Sequence, residues 1–139
     1  MKASIILSTY NRPQALLTVL EALKLQTIQD FEVCIADDGS TKDTQQIIEN
    51  FQQKSALSSG NYLLFLDGDC IPRPNWIHQH LTLSEKHAFV AGNRVLLDET
   101  LSHAIETHRI PFTDLFGLNV LRHKDHINRL IPLLKIPLG

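Results

Sequence analysis

The run Tyr62-Leu63-Leu64-Phe65-Leu66 leads directly into Asp67-Gly68-Asp69 near the middle of the chain. An apolar, partly aromatic run bounded by Gly60 and Gly68 predicts a buried strand of a parallel sheet. Two carboxylates one residue apart at the carboxyl end of such a strand are unfavourable unless a positive group lies between them. Ligands of open α/β sheets bind at that edge. We therefore expect a hard divalent cation that also holds a phosphate there.

Length and composition are those of one globular domain. The chain has 139 residues, of which 43% are hydrophobic and 20% charged, enough to form a core. The formal net charge is −2, so we expect no broad basic surface and no nucleic-acid partner.

The two cysteines and the N-terminal residues give expectations about the cellular compartment. Cys34 and Cys70 lie in or just beyond predicted strands, which favours thiols of a reducing compartment over a disulfide framework. The first apolar stretch is too short for a signal peptide, and no window has the length of a membrane span. We expect a cytoplasmic protein, with peripheral contact at the inner membrane left open.

Strand and helix patterns alternate along the first two thirds of the chain, which predicts βαβ units and a mostly parallel sheet flanked by helices. Helices are predicted to begin near Pro13, Thr41 and Asn75 or Pro74, the last continuing to about Lys86. The predicted strands are Ala3–Ser8, Phe31–Ala36, Tyr62–Leu66 and Ala88–Val95.

The last third is predicted to be a helical segment, residues 98–139, in the same domain as a core of residues 1–97. Its candidate helices are Leu101–Arg109, Thr113–Leu121 and Lys124–Leu134, with prolines between them. The apolar tail Leu130–Leu138 needs a cover. Packing on its own sheet is favoured over a membrane surface or a second subunit, because no basic amphipathic pattern accompanies the tail.

Three polar loops follow predicted strands. They are Ser8–Arg12, Asp37–Ser40 and Asp67–Asp69. Because the carboxyl ends of parallel strands lie at one edge of the sheet, we expect the three loops to meet there. Turn residues explain one such loop, but three on one edge, two with paired acids, indicate a binding site.

These segments resemble the N-terminal half of family 2 glycosyltransferases, which have the GT-A fold and use nucleotide-diphosphate sugars. The resemblance is clear from Ala3 to about Trp76. It is carried, in order, by Ser4-Ile5-Ile6-Leu7-Ser8-Thr9-Tyr10-Asn11-Arg12, Gln26-Thr27, Phe31-Glu32-Val33-Cys34-Ile35-Ala36-Asp37-Asp38-Gly39-Ser40-Thr41 and Gly60-Asn61-Tyr62-Leu63-Leu64-Phe65-Leu66-Asp67-Gly68-Asp69.

The resemblance implies roles for five residues. Asp38 matches the acid that binds the nucleotide base, and Ser8 and Arg12 match positions near the nucleotide. Asp69 matches the ligand of Mn²⁺ or Mg²⁺ in the D-x-D motif, and Asp67 matches the acid facing the ribose or sugar and sharing the metal site. The neighbouring Asp37 either joins the site or caps its own turn, and both uses stay open.

The chain departs from the family pattern in two places. It is short between Asp38 and Asp67, where the family carries a further strand and helix, so Phe31–Ala36 is expected to become an edge strand. Members that invert the sugar carry a catalytic acid well after the metal motif. The only adjacent acid pair there is Asp98-Glu99, which lacks the usual surroundings, and no catalytic base is assigned.

The predicted function is transfer of a sugar from a nucleotide-diphosphate donor, with a UDP-sugar favoured, to a saccharide or lipid-linked acceptor, with a metal and with inversion. A catalytically impaired nucleotide-sugar-binding fragment or scaffold subunit is the alternative, and a homodimer stays open. A nucleotidyltransferase is disfavoured, because no glycine-rich loop bearing Lys or Arg follows the first strand.

Overall fold

A computed structural model describes residues 2–52 and 60–128. The chain divides into two compact units, Met1–Val90 and Ala91–Gly139. That residues 1–97 and 98–139 belong to one domain stays a prediction. In the described residues, no helix has both the length and the apolar character needed to cross a bilayer.

The first unit is built on three parallel strands, β1 (Ala3–Thr9), β2 (Phe31–Asp37) and β3 (Tyr62–Asp67), in the order β2-β1-β3. The three predicted strands are confirmed to within one residue at their ends. Because β1 is central, the loop that follows it lies between the loops that follow β2 and β3.

Three helices of this unit pack on one face of the sheet. They are α1 (Pro13–Lys24), α2 (Lys42–Gln52) and α3 (Trp76–Thr82). Pro13 is the first residue of α1, where its missing N–H leaves no bond unmade. Helix α3 ends earlier than the predicted Lys86, with Leu83 as its C-cap. The core that these elements enclose contains Ala3, Ile5, Leu7, Leu16, Val19, Leu20, Leu23, Ile48, Leu64, Leu66 and Ile77.

The opposite face of the sheet is more open. Alternation along the strands puts Cys34, Leu63 and Phe65 on this face, and all three are exposed, Phe65 by 75%. Among the described strands, β2 is an edge strand, as the shortened connection after Asp38 predicts.

The amino ends of the strands are joined by a buried polar cluster. Ser4 Oγ donates to the carboxylate of Glu32, and the N–H of Gly60 lies 2.8 Å from Glu32 Oε1 and 2.9 Å from Ser4 Oγ. Gly60 approaches β1 so closely that a Cβ would lie 2.5 Å from Ser4 Oγ. The absence of a side chain therefore lets the chain enter β3 beside β1.

Up to residue 128, the second unit contains a short antiparallel pair, β4 (Leu96–Leu97) and β5 (Ile127–Asn128), and one α-helix, α4 (Glu99–Glu106). Two 3₁₀ helices, Phe112–Leu115 and Gly117–His126, lie between α4 and β5. The prediction of a helix at Leu101–Arg109 is confirmed, although α4 begins and ends earlier.

Three predictions in this region are wrong or incomplete. Ala88–Val95 is irregular rather than a strand, and Phe89 is 90% exposed. Thr113–Leu121 spans parts of two 3₁₀ helices, because Gly117 has a positive φ of 64° that interrupts an α-helix. In Lys124–Leu134 the described residues end the second 3₁₀ helix and form β5. The rest, and the apolar tail Leu130–Leu138, lie outside the described residues.

Candidate nucleotide-sugar site

The loop after β3 brings two carboxylates and a thiol together. The N–H of Cys70 donates to the carbonyl oxygen of Asp67 over 3.0 Å, which closes a turn around Gly68 and Asp69. One ligand atom from each of Asp67, Asp69 and Cys70 can be chosen so that all three lie within 4.8 Å of one another. Both aspartates are exposed, whereas Gly68 is buried. The turn therefore holds a compact acidic group facing solvent.

The central strand contributes Ser8 to this group. Strand register places Ser8 beside Asp67, and Ser8 Oγ lies 3.5 Å from Asp67 Oδ1, at the outer limit of a hydrogen bond. The meeting of the first and third loops is thus seen directly in a side-chain contact.

The first and second loops are joined by Asn11, whose role the sequence alone did not reveal. The N–H of Asn11 donates to Ser40 Oγ over 2.9 Å, and its Oδ1 accepts the N–H of Thr41 over 2.8 Å. Asn11 has a φ of 48°, a left-handed conformation that asparagine tolerates better than most residues. That tolerance is a sequence signal that could have indicated a tight turn here.

Asp37 and Asp38 have different surroundings. The carboxylate of Asp37 accepts the N–H of Ser40 at 3.2 Å and also its hydroxyl, so it caps its own turn. Asp38 is exposed, and its N–H donates to the carbonyl of Thr9 over 3.1 Å. Its side chain is therefore available at the edge where base recognition is expected, and that role stays a prediction.

Arg12 is exposed and occupies the N-cap position of α1 without a capping bond from its side chain. The described contacts place it in the loop after β1. A contact with a nucleotide is still only predicted.

Gln26 supports the chain that follows residues 67–70, the candidate metal-binding turn that we call the metal loop, and this second role was not predicted. Its side chain is buried; Nε2 donates to the carbonyl of Arg73 over 2.7 Å, and Oε1 accepts the N–H of Ile77 over 3.1 Å. The next residue, Thr27, donates its N–H to the carbonyl of Pro74 over 2.7 Å. The Gln26-Thr27 pair therefore fixes residues 73–77 against the end of α1.

The acid pair of the second unit has a structural use. Asp98 is the N-cap of α4 and accepts the N–H of Leu101 over 2.8 Å, while its other oxygen lies 2.6 Å from His126 Nδ1. The bond from Leu101, followed by the one from His126, lowers the pKa of Asp98. Asp98 is thus held as a helix cap, and Glu99 lies in the first turn of α4.

A divalent cation fits the donor set of the metal loop. Exposed carboxylate oxygens close together are ligands that Mg²⁺ and Mn²⁺ accept, and Asp67 and Asp69 would hold the ion. Two carboxylates this close repel each other in the absence of a cation. The arrangement is therefore suited to binding an ion together with an anionic ligand.

The sequence is similar to that of known glycosyltransferases. The sequence model of Glycosyl transferase family 2 matches residues 4–58. Chondroitin synthase of Escherichia coli is 32% identical over 103 residues, covering 58% of this chain and 15% of the relative. Hyaluronan synthase of Pasteurella multocida is 31% identical over 120 residues, covering 68% of this chain and 12% of the relative. The chain thus spans only a small part of these relatives. The alignment with the chondroitin synthase has 103 positions but includes only 58% of the 139 residues of this chain. The synthase therefore has additional residues inside the matched region.

Solved structures show the same likeness. S. aureus TarS 1-349 in complex with UDP-GlcNAc has a TM-score of 0.51 and 27% identity, covering 59% of this chain and 30% of that one. The complex of TarS 1-349 with UDP has the same TM-score and identity and is covered to 31%. Together with the parallel sheet and the loops at its edge, these matches show that the chain belongs to glycosyl transferase family 2 and contains part of a GT-A fold.

Proposed function

We propose that this chain binds a nucleotide-diphosphate sugar, with a UDP-sugar favoured, and transfers the sugar with inversion to a saccharide or lipid-linked acceptor. The observation that carries the proposal is the meeting of Ser8, Asp67 and Asp69 at the carboxyl edge of a parallel sheet. The similar TarS structures with UDP and UDP-GlcNAc support this donor class.

Different residues of the chain would bind the metal and the nucleotide base. Asp67 and Asp69 would hold Mn²⁺ or Mg²⁺, and Ser8 would help to orient Asp67. Asp38, an acceptor of hydrogen bonds only, receives an N–H of the nucleotide base. When bound, the cation would neutralise the charge that develops on the departing nucleoside diphosphate. A cytoplasmic location, and a membrane-surface or homodimer contact, stay predictions.

Calorimetry with UDP tests the binding step. We expect UDP to bind in Mn²⁺ and to lose most of its affinity in EDTA or when Asp69→Asn removes a ligand carboxylate. Asp30→Asn is the matched control, because Asp30 is 79% exposed just before β2, at the opposite edge of the sheet. At one hundred times its dissociation constant, UDP should add about 2.7 kcal/mol to the free energy of unfolding. Metal-independent binding, or equal losses in both variants, would refute the proposed metal site.

A nucleotide-sugar-binding fragment without turnover is the second candidate. It is favoured by one observation, the engagement of Asp98 as a helix cap and partner of His126 in the only adjacent acid pair after the metal loop. Release of UDP from a screen of UDP-sugars separates the two candidates. If UDP binds in a metal-dependent manner but no combination of UDP-sugar and acceptor releases UDP, the chain is a binding fragment without turnover.

A further inference from the structure

The thiol of Cys70 lies beside the two carboxylates of the metal loop. Cys70 Sγ is 3.6 Å from Asp69 Oδ1, within the range of a bond from sulfur. In the described parts of the chain, Asp67, Asp69 and Cys70 are the one group of three or more acidic, His or Cys side chains that could hold a metal ion. A soft ligand is therefore placed next to two hard ones.

Cys70 is more buried than either acid. Cys70 is half-buried and packs against the hydrophobic core, whereas Asp67 and Asp69 are exposed. The hydrogen bond from its N–H to the carbonyl of Asp67 also ties its backbone to the end of β3. The core contact and the backbone bond together place the sulfur beside the two acids.

The mixed donor set has a consequence for metal choice. Carboxylates alone suit Mg²⁺, whereas a thiolate favours Zn²⁺ and other borderline cations, which also bind more tightly than Mn²⁺ to most protein sites. We propose that Cys70 is a third protein ligand of this site and makes it select Zn²⁺ or Co²⁺ over Mg²⁺. The inference rests on the proposed function, since the cation is the one that would hold the diphosphate. On binding, the Cys70 thiol loses its proton to solvent and coordinates as the thiolate.

Cobalt provides a direct readout of a metal–sulfur bond. Co²⁺ is titrated into the full chain and into Cys70→Ser and Cys34→Ser, and the near-ultraviolet charge-transfer absorption of a thiolate–cobalt bond is followed. Cys34 is the matched control, because it is the only other cysteine and is exposed on β2. We expect the band in the wild type and in Cys34→Ser, saturating at one equivalent, and its loss in Cys70→Ser.

Zinc affinity gives the second measurement. Competition with a zinc indicator should show a fall of at least about tenfold in Cys70→Ser, since loss of even an indirect partner of a metal ligand costs that much. The affinity for Mg²⁺ should be nearly unchanged, because oxygen ligands dominate its binding.

The outcomes separate this inference from the proposed function. Absence of the cobalt band in the wild type, its persistence in Cys70→Ser, or its loss in Cys34→Ser would overturn the role of Cys70. If UDP still binds with Mn²⁺ in that case, the proposed function stands. A cobalt band that depends on Cys70, without any binding of UDP, would support the metal site and overturn its assignment to a nucleotide sugar.

Discussion

Replacing Gly68 with alanine should weaken nucleotide binding through a displacement of the metal loop. A Cβ at Gly68 would lie 2.5 Å from the carbonyl oxygen of Ser8 and 3.2 Å from Cβ and Oγ1 of Thr9. Ordinary contact begins at 3.4 Å, so relieving the closest contact requires a shift of about 0.9 Å. Strand β1 is paired on both sides, so the loop, and not the strand, should move.

The expected loss of affinity follows from that shift. Metal–ligand distances vary by only about 0.2 Å between sites, so a displacement several times larger removes at least one carboxylate from coordination range. We expect UDP in Mn²⁺ to bind at least about tenfold more weakly, which is about 1.4 kcal/mol. Overpacking should also reduce the free energy of unfolding by about 1–3 kcal/mol, offset by about 0.4–1 kcal/mol from a stiffer unfolded chain.

Gly60→Ala is the matched control for the general effect of overpacking. Its Cβ would lie 2.5 Å from Ser4 Oγ and 2.7 Å from Ser4 N, at the opposite end of the same strand. Urea unfolding should show comparable destabilisation of the two variants. Calorimetry below the unfolding transition should show weaker UDP binding for Gly68→Ala alone. Wild-type affinity in Gly68→Ala, or an equal loss in Gly60→Ala, would refute the reasoning that the tight turn positions the ligands.

Two further predictions concern stability. Gln26→Leu should lower the free energy of unfolding in urea by roughly 1–3 kcal/mol, because it leaves the buried N–H of Ile77 without its partner and removes one of two donors to the carbonyl of Arg73, which still accepts the N–H of Trp76; a loss within experimental error would contradict that role. Asp98→Asn should reduce the fall in melting temperature as pH is lowered, because asparagine keeps a capping side chain but removes the charge. The pKa of Asp98 is lowered from its ordinary 3.8, so its contribution is present above that value and is lost as pH falls through the folded pKa. Identical acid profiles for variant and wild type would contradict the assignment.

The first unit was predictable because its strands are apolar runs with one face packed against the helices. A β-strand in a parallel sheet reads as a continuous apolar run, and β1 and β3 differ from the predicted strands by a single residue. Ala88–Val95 is also rich in apolar residues, but strand formation depends on a partner and on burial; no described strand pairs with this segment, and Phe89 is exposed. The same limit applies to the region after α4, where Gly117 and a non-helical His123 divide what the apolar spacing indicated as longer helices.

Within the site, the pattern of the sequence predicted which loops meet but not which side chains join them. Parallel topology alone brings Ser8 and Asp67 to one edge, so their meeting follows from the strand assignment. The bonds of Asn11 to the second loop depend on a left-handed turn, and the position of Cys70 depends on how the turn after β3 closes. Such local geometry leaves no periodic signal in the sequence.

The central position of β1 explains how a shortened chain keeps this arrangement. The first loop contacts the second through Asn11 and the third through Ser8, so each link needs only the strand next to β1. A strand beyond β2 would add to the edge of the sheet without lying between any two of these loops. Loss of such a strand exposes the backbone groups of β2 to pairing with other chains. The three loops nevertheless remain at the same edge of the sheet. The binding edge is therefore expected to tolerate changes at the outer strands and to be sensitive to substitutions at the carboxyl end of β1.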